Sequence, residues 1–125
     1  MNHNRILWIL QWLFGLYFIA VGVMHFIVPE GLPKMMEWMY DLGSTVHYIV
    51  GVAEILGGLG LILPAITGKA TGLVPLAALG LAVVMVGAAI WHSPRGETLQ
   101  IGNNVFLALV MLYIAYGRWK LAPLT

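Results

Sequence analysis

Four long apolar stretches dominate the sequence and restrict the folds that are open to it. They cover residues 6–28, 46–66, 70–92 and 99–119 of the 125-residue chain. A helix needs about 20 apolar residues to cross about 30 Å of hydrocarbon, and each stretch reaches that length. Turn-forming residues, including Pro and Gly, separate the stretches. The sequence therefore predicts an all-α membrane protein, a single domain built as a four-transmembrane-helix antiparallel bundle.

The composition favours a membrane location and excludes several functions. The chain is 61% hydrophobic and only 9% charged, whereas a soluble domain carries about 25% charged residues. The net charge of +1 is too small for nucleic-acid binding through charge, so no nucleic-acid partner is expected. The absence of cysteine excludes disulfides, thiolate metal sites and thiol redox chemistry within this chain.

Basic residues near the ends of the stretches predict the orientation. By the positive-inside rule, the side with more Lys and Arg faces the cytoplasm. One side of the predicted bundle holds only Lys34 and Arg95, while the other holds Arg5, Lys69, Arg118 and Lys120. Both termini are therefore predicted in the cytoplasm. The first stretch is interpreted as a permanent helix rather than a cleaved signal peptide.

The first outer loop contains a second helical pattern. Leu and Met side chains recur there at three- and four-residue steps, from position 32 to position 42. Pro33 suits a first helical position and Gly43 suits a C-terminal cap. The pattern predicts a short amphipathic helix over about 33–42 at the membrane interface. Its methionines are interpreted as an apolar face or a lid over a cavity, not as copper ligands.

Polar and small residues share a face on each apolar stretch. In membrane helices, such faces point at neighbouring helices because small residues let backbones approach and polar residues find partners there. The predicted inward faces are Gln11, Gly15, Phe18, Gly22 and His25; His47, Gly51, Glu54, Gly58 and Leu61; Ala77, Gly80, Gly87 and Trp91; and Asn103, Asn104, Ala108, Met111, Ala115 and Arg118.

Glu54 is the most informative of these residues, because it is a carboxylate in a run that contains no Lys or Arg. An ionisable group at bilayer depth costs about 3 kcal/mol unless it faces the protein interior, finds a partner or stays protonated. In an antiparallel bundle, polar residues of all four helices fall in the outer half. They predict a polar pocket formed by His25, Glu54, His92, Asn103 and Asn104, with Glu54 as the best catalytic candidate.

Other polar residues are interpreted as structural. His47 is assigned as a boundary residue, Gln11 as a helix-packing residue, and Arg118 as an anchor that extends to the inner interface. The inner half of the bundle is expected to be almost wholly apolar. No metal site is predicted, because no two histidines lie three or four residues apart and no Glu-x-x-His motif occurs.

A carboxyl group beside an imidazole in such a pocket could exchange protons with a ligand. That chemistry suits a lipophilic redox carrier such as a quinone. It also suits anchoring the polar head of a lipid-like ligand, so both kinds of ligand stay open at this point.

The residues around Glu54 resemble a known family. The segment Gly22-Val-Met-His25-Phe26, followed by Pro29, and the run Gly51-Val-Ala-Glu54-Ile-Leu-Gly57-Gly58-Leu-Gly60-Leu are similar to the DoxX-like family of small four-helix integral membrane proteins. Ala89-Ile-Trp-His92 and Asn103-Asn104 extend the resemblance to the later helices, so it covers nearly the whole chain.

The resemblance implies a multi-pass protein of a bacterial or archaeal plasma membrane. The family contains subunits of thiosulfate:quinone oxidoreductase and partners in thiol-oxidant resistance complexes. By position, Glu54 matches the family's central glutamate, and His25 matches its polar position at the end of the first helix. The implied function is therefore a membrane subunit of a redox system, acting near a quinone or another lipophilic substrate with a redox partner protein.

Two other functions stay open. The chain could be a non-enzymatic binding or transport protein for a small lipophilic or acidic ligand, or a structural membrane anchor for a partner. A homo-oligomer is also expected, because four short helices bury little surface against one another.

Overall fold

The computed structural model describes residues 2–125 and contains four long helices. These are α1 (His3–Phe26), α2 (Ser44–Thr67), α3 (Leu73–His92) and α4 (Thr98–Tyr116). A π-helical turn, Gly117–Leu121, extends α4, and 3₁₀ helices cover Lys34–Tyr40 (here the loop helix) and Ser93–Arg95. All four long helices are apolar and long enough to cross a membrane. The predicted all-α, four-helix membrane architecture is confirmed.

Local sequence signals explain where the helices begin and end. The Asn2 side chain accepts a hydrogen bond from the Arg5 amide at 2.9 Å and so caps the start of α1. Gly68 ends α2 with a φ of 69°, a backbone conformation that favours glycine. The prediction that Gly43 caps the loop helix is wrong: Asp41 ends that helix, and Gly43 precedes the first turn of α2.

The helices form an antiparallel bundle in which each helix packs against the next. Contacts are extensive between α1 and α2, between α2 and α3, and between α3 and α4, but sparse between α1 and α4. Both termini and the α2–α3 turn lie at one end of the bundle, here called the terminal side. The loop helix and the α3–α4 connection lie at the other end, here called the loop side.

Glycines bring the backbones of α1 and α2 into direct contact. A Cβ atom at Gly58 would lie 2.6 Å from the carbonyl oxygen of Gly15, and one at Gly51 would lie 2.9 Å from the carbonyl oxygen of Gly22. Only glycine permits this approach, because real Cβ atoms essentially never come so close to a backbone oxygen. The predicted inward faces of α1 and α2 are confirmed, since every member of both is buried.

The predicted inward face of α3 is wrong at its two glycines, although its Ala77 packs over Gly60 of α2. Gly80 and Gly87 are exposed, and a Cβ atom at either position would meet no other atom within 4 Å. The buried face of α3 consists instead of larger apolar residues and His92, namely Val74, Ala78, Leu81, Ala82, Met85 and His92. Leu81 packs into the space over Gly57 of α2, so this contact uses a glycine on one helix and a leucine on the other.

The terminal side contains a buried polar network, which corrects two predictions. Arg118 is only 3% exposed. Its Nε donates to Gln11 Oε1 at 2.6 Å, and its Nη1 donates to Asn4 Oδ1 at 2.7 Å and to the Ala122 carbonyl at 2.8 Å. Gln11 in turn donates to the Leu61 carbonyl at 2.7 Å. Arg118 therefore joins α1 to α4 inside the bundle rather than extending to the interface, and this half is not wholly apolar.

The α1–α2 contact gives a stability prediction. Replacing Gly58 by Ala places a methyl group against the Gly15 carbonyl, and overpacking of this kind costs about 1–3 kcal/mol. We expect Gly58→Ala to lower the thermal unfolding midpoint in detergent micelles. Gly102→Ala is the control, because Gly102 lies in α4 with open space around its Cα; this variant should match or exceed the parent. Equal midpoints for parent and Gly58→Ala would contradict the close contact.

Candidate functional site

A cavity of about 370 Å³ lies between the four helices in the loop-side half of the bundle. Apolar side chains form most of its wall, and Trp38 and Leu42 reach it from the loop helix and the segment after it. All five residues predicted for the pocket line this one cavity: His25, Glu54, His92, Asn103 and Asn104. The structure thus brings the predicted residues together; whether they bind a ligand stays a prediction.

Glu54 begins a row of hydrogen bonds through buried side chains. Its Oε1 lies 2.9 Å from His25 Nε2. His25 Nδ1 lies 2.8 Å from His47 Nδ1, and His47 Nε2 lies 2.7 Å from the carbonyl oxygen of Met39 in the loop helix. All four residues are at most 6% exposed. The row therefore runs from the cavity wall to the underside of the loop helix without reaching solvent.

The partners in this row fix its proton count. The Met39 carbonyl can only accept, so His47 Nε2 must donate a proton to it. Each of the two other contacts also needs one proton between its atoms, because two lone pairs or two N–H groups would repel. Three hydrogen bonds thus hold three protons, and Glu54, His25 and His47 together carry no net charge. Protons can still shift from Glu54 toward His47 without changing that total.

The opposite wall holds a second histidine with a different connection. His92, from the end of α3, is 2% exposed, and its Nδ1 lies 2.9 Å from Glu97 Oε1. Arg95 donates from Nε to the same Glu97 oxygen at 2.6 Å and from Nη2 to Asp41 Oδ2 at 2.6 Å. Hydrogen bonds from Arg95, and secondarily from His92, lower the pKa of Glu97 below its ordinary value. Glu97 is therefore an ionised acceptor at neutral pH.

Aromatic rings separate the two histidines. The Trp38 ring centroid lies 6.3 Å from that of His25 and 4.9 Å from that of His92. Trp91 packs edge-on against His92 at 5.0 Å, and the Arg95 guanidinium lies 4.5 Å from the centre of the Trp91 ring. These contacts hold the ring planes and give the cavity flat apolar surfaces.

The two asparagines of α4 occupy different environments. Asn104 is 7% exposed, and its Nδ2 has no hydrogen-bond partner within the described part of the chain. Asn103 lines the cavity from a more exposed position. A buried amide without a partner costs about 1–3 kcal/mol, so Asn104 is the group in this cavity that most needs an acceptor.

Sequence reasoning missed several residues in and around the cavity. His47, which lies behind His25, was assigned as a boundary residue, although it lies seven positions before Glu54 on the same helical face, which was the available signal. Tyr17 and Trp38 line the cavity itself. Nothing in the local pattern distinguishes them from the other aromatic residues of this chain. Glu97 stands in a polar turn, and only the fold shows that it contacts His92.

The arrangement does not suit a metal ion. His25 uses its two ring nitrogens in opposite directions, toward Glu54 and toward His47, whereas metal ligands must converge on one point. Between residues 2 and 125, no group of three or more His, Asp or Glu side chains is placed to hold a metal. The geometry suits transfer of protons along hydrogen bonds and recognition of a ligand with polar oxygens.

Glu97 predicts a pH-dependent contribution to stability. Its lowered pKa means that the ionised carboxylate stabilises the fold above its ordinary value of 4.5, and that this contribution is lost as the pH falls through the lower folded value. Glu97→Gln should therefore unfold at a lower temperature than the parent at pH 7, and the difference should shrink below pH 4.5.

The control for Glu97 is Glu30→Gln. Glu30 is an exposed carboxylate near the same end of the bundle, so its replacement makes the same charge change and should leave the midpoint unaltered. A Glu97→Gln midpoint equal to that of the parent at pH 7, measured in the same detergent, would contradict the stabilising role.

Comparison with known proteins agrees with this architecture. The model of the DoxX-like family matches residues 9–114, a range that includes α2, α3, the loop helix, most of α1 and α4, and every residue of the cavity. No curated protein and no solved structure matches the chain. The family match covers most of the sequence and contains Glu54, His25, His92 and both asparagines. The chain is therefore an integral membrane protein that belongs to the DoxX-like family.

Proposed function

We propose that this protein is the membrane subunit of a redox system and that its cavity binds a quinone-type carrier. The carrier's ring occupies the space between Glu54 and His25 on one wall and Asn104 on the other. The Glu54–His25 pair exchanges a proton with a carrier oxygen, and the electrons pass to or from a redox partner protein. The site of action is the plasma membrane of a bacterium or archaeon.

Asn104 carries this proposal. Its buried Nδ2 has no partner among residues 2–125, yet it lines a cavity whose other wall holds a proton-sharing carboxyl and imidazole. A carbonyl oxygen satisfies an amide donor, and a hydroxyl oxygen can share its proton with Glu54 or His25. A quinone and its hydroquinone offer these two kinds of oxygen, whereas a plain hydrocarbon chain offers neither.

The remaining wall of the cavity supports a lipophilic ligand. Ile49 of α2 and Gly87 of α3 both line the cavity and are exposed on the lipid-facing surface. No side chain fills the space over Gly87, so the backbone of α3 alone forms the wall there. Small-molecule sites commonly lie between the helices of bundles. Here a hydrophobic tail of the ligand can leave the cavity between α2 and α3 and continue among the lipid chains.

The need for a partner follows from the residues available. The chain contains no cysteine, so it offers no thiol that could accept or donate electrons. His25, Glu54 and His92 can move protons but not electrons. The partner protein supplies the electron-transfer group, and the membrane subunit supplies the ligand cavity and the proton chemistry. Homo-oligomerisation stays a prediction.

Binding is tested with decylubiquinone and the protein in nanodiscs. Trp38 and Trp91 line the cavity, so a bound quinone should quench tryptophan fluorescence in a saturable manner. Gly87→Leu should weaken binding about tenfold or more, because the leucine fills space beside the ring, and a loss of 1.4 kcal/mol is tenfold in affinity.

The control for Gly87→Leu is Gly80→Leu. Gly80 lies two turns away on the same exposed face of α3 with equally open surroundings, but it does not line the cavity. Its variant should bind like the parent. No saturable quenching in the parent, or equal losses in both variants, would contradict a quinone in this cavity. Recovery of a tightly bound lipid without quinone, by mass spectrometry, would favour the non-enzymatic alternative.

Glu54→Gln separates proton chemistry from binding. Glutamine can still donate a hydrogen bond to His25 Nε2, so we expect parent-like folding and quinone binding. It cannot give up a proton, so it should fail to restore the ratio of quinol to quinone in membranes of a strain that lacks the protein. The comparison is made at matched protein levels. Restoration of the ratio by Glu54→Leu would contradict the assigned role.

A further inference from the structure

The two histidines of the cavity differ in what lies behind them. His25 leads to His47 and then to the Met39 carbonyl, a backbone acceptor that cannot pass a proton onward. His92 leads to Glu97, whose side chain is 22% exposed. Glu97 lies in the short loop-side connection between α3 and α4. Of these two routes, the one through His92 ends at a titratable group in contact with water.

Glu97 determines which nitrogen of His92 faces the cavity. Because Glu97 is ionised, it can only accept, and His92 Nδ1 must carry the proton that joins them. In the neutral ring, Nε2 then has a lone pair. Trp38 and Trp91 pack edge-on against the ring, at interplanar angles of 88° and 80°, and hold it in this orientation. His92 thus presents Nε2 as a proton acceptor to the cavity.

The surroundings of His92 contain few other ionisable groups. From its own connection, Glu97 contacts it directly, and Arg95 contacts Glu97. Asp41, which follows the loop helix, contacts Arg95 and is linked to His92 only through Arg95 and Glu97. The cavity walls add Tyr17 and His25 from α1 and Glu54 from α2, and α4 contributes the neutral Asn103 and Asn104. Among residues 2–125, Glu97 is therefore the one acidic partner that His92 contacts.

We propose that His92 is the residue through which the cavity exchanges protons with water on the loop side, and that Glu97 is its positioning residue. This inference rests on the proposed quinone function. When a bound hydroquinone loses a proton, its O–H bond breaks and an N–H bond forms at His92 Nε2, and Glu97 stabilises the resulting imidazolium. Release of the Nδ1 proton through Glu97 to water then leaves a neutral ring with its proton on Nε2. Loss of that Nε2 proton and gain of one at Nδ1 from water restore the acceptor before the next transfer.

The electron balance uses the same redox partner. Loss of two protons to water through His92, one of them after transient transfer to the Glu54–His25 pair, together with two electrons accepted by the oxidised partner protein, converts one hydroquinone into one quinone. The reverse sequence takes protons from the loop side when the partner reduces a quinone. By the orientation predicted from Lys and Arg, the loop side is the outer side of the membrane.

The pairing of His92 with Glu97 is tested first without ligand, by nitrogen NMR of histidine-labelled protein in nanodiscs. In the parent, the neutral form of His92 should carry its proton on Nδ1, and Glu97→Ala should remove this preference because it removes the acceptor. Glu30→Ala should leave the His92 signals unchanged. A parent His92 with its proton on Nε2, or signals unaffected by Glu97→Ala in a folded protein, would overturn the proposal.

The second test compares decylubiquinol with decylubiquinone. Protonated His92 can no longer accept a hydrogen bond from the hydroxyl of the quinol, whereas its Nε2–H can now donate to a quinone carbonyl. As the pH falls through the titration of His92 seen by NMR, the affinity for quinol relative to quinone should fall about tenfold, since hydrogen bonds to charged groups contribute about 1.5–3 kcal/mol. His92→Gln should remove this pH dependence.

The control histidine is His3. It lies at the terminal side against Tyr113, outside the cavity, so His3→Gln should keep the pH dependence of the parent. Absence of decylubiquinone binding by the parent would overturn the proposed function itself. Binding with a ratio that does not change with pH, or that changes equally in His92→Gln, would overturn only the role of His92.

Discussion

The contact between the backbones of α1 and α2 is the interaction on which the rest of the structure depends. Inside a bilayer, helices gain little from burying apolar side chains against each other, so close packing and internal hydrogen bonds decide how they associate. Gly51 and Gly58 allow α2 to approach α1 until carbonyl oxygens limit the distance. At that separation, His25 comes within hydrogen-bond distance of both Glu54 and His47. The glycines thus assemble the polar row.

The four-helix architecture and the faces of α1 and α2 could be predicted from sequence because each signal has a single physical interpretation. A run of about 20 apolar residues has few alternatives to a membrane helix. A carboxylate in such a run must face inward, and it identifies the buried face of α2 unambiguously. The face of α3 lacked such a residue. Gly80 and Gly87 suggested a close contact, but a glycine is equally compatible with an open space, and here the space is open.

The site could be predicted only as a set of residues. Sequence placed five polar side chains at one end of the bundle, but pairings such as His25 with His47 or His92 with Glu97 depend on rotations and side-chain directions that spacing does not determine. Arg118 was misassigned for a related reason. An arginine near a helix end usually reaches the interface, and its partners Asn4 and Gln11 are more than a hundred residues away in the chain. No local pattern connects them.

The two ends of the bundle are therefore held differently. At the terminal side, Arg118 and His3 join α4 to α1 through side-chain hydrogen bonds. At the loop side, the helices surround a cavity. Surface contacts join the loop helix and the segment after it to the α3–α4 end: Arg95 pairs with Asp41, and Gln100 donates to the Met35 carbonyl. This difference between the two ends is compatible with the proposed entry of a ligand from the lipid at the loop side.

The proton row beneath the loop helix has a consequence for the electrostatics of the cavity. Since Glu54, His25 and His47 share three protons and are closed off by the Met39 carbonyl, the row can change its dipole without gaining or losing charge. A negative charge that forms on a ligand near Glu54 would draw protons toward the cavity, and a positive charge would drive them away. One wall of an otherwise apolar cavity is therefore polarisable. By shifting protons along the row, it could stabilise a charge on a ligand, a role that water has in solution.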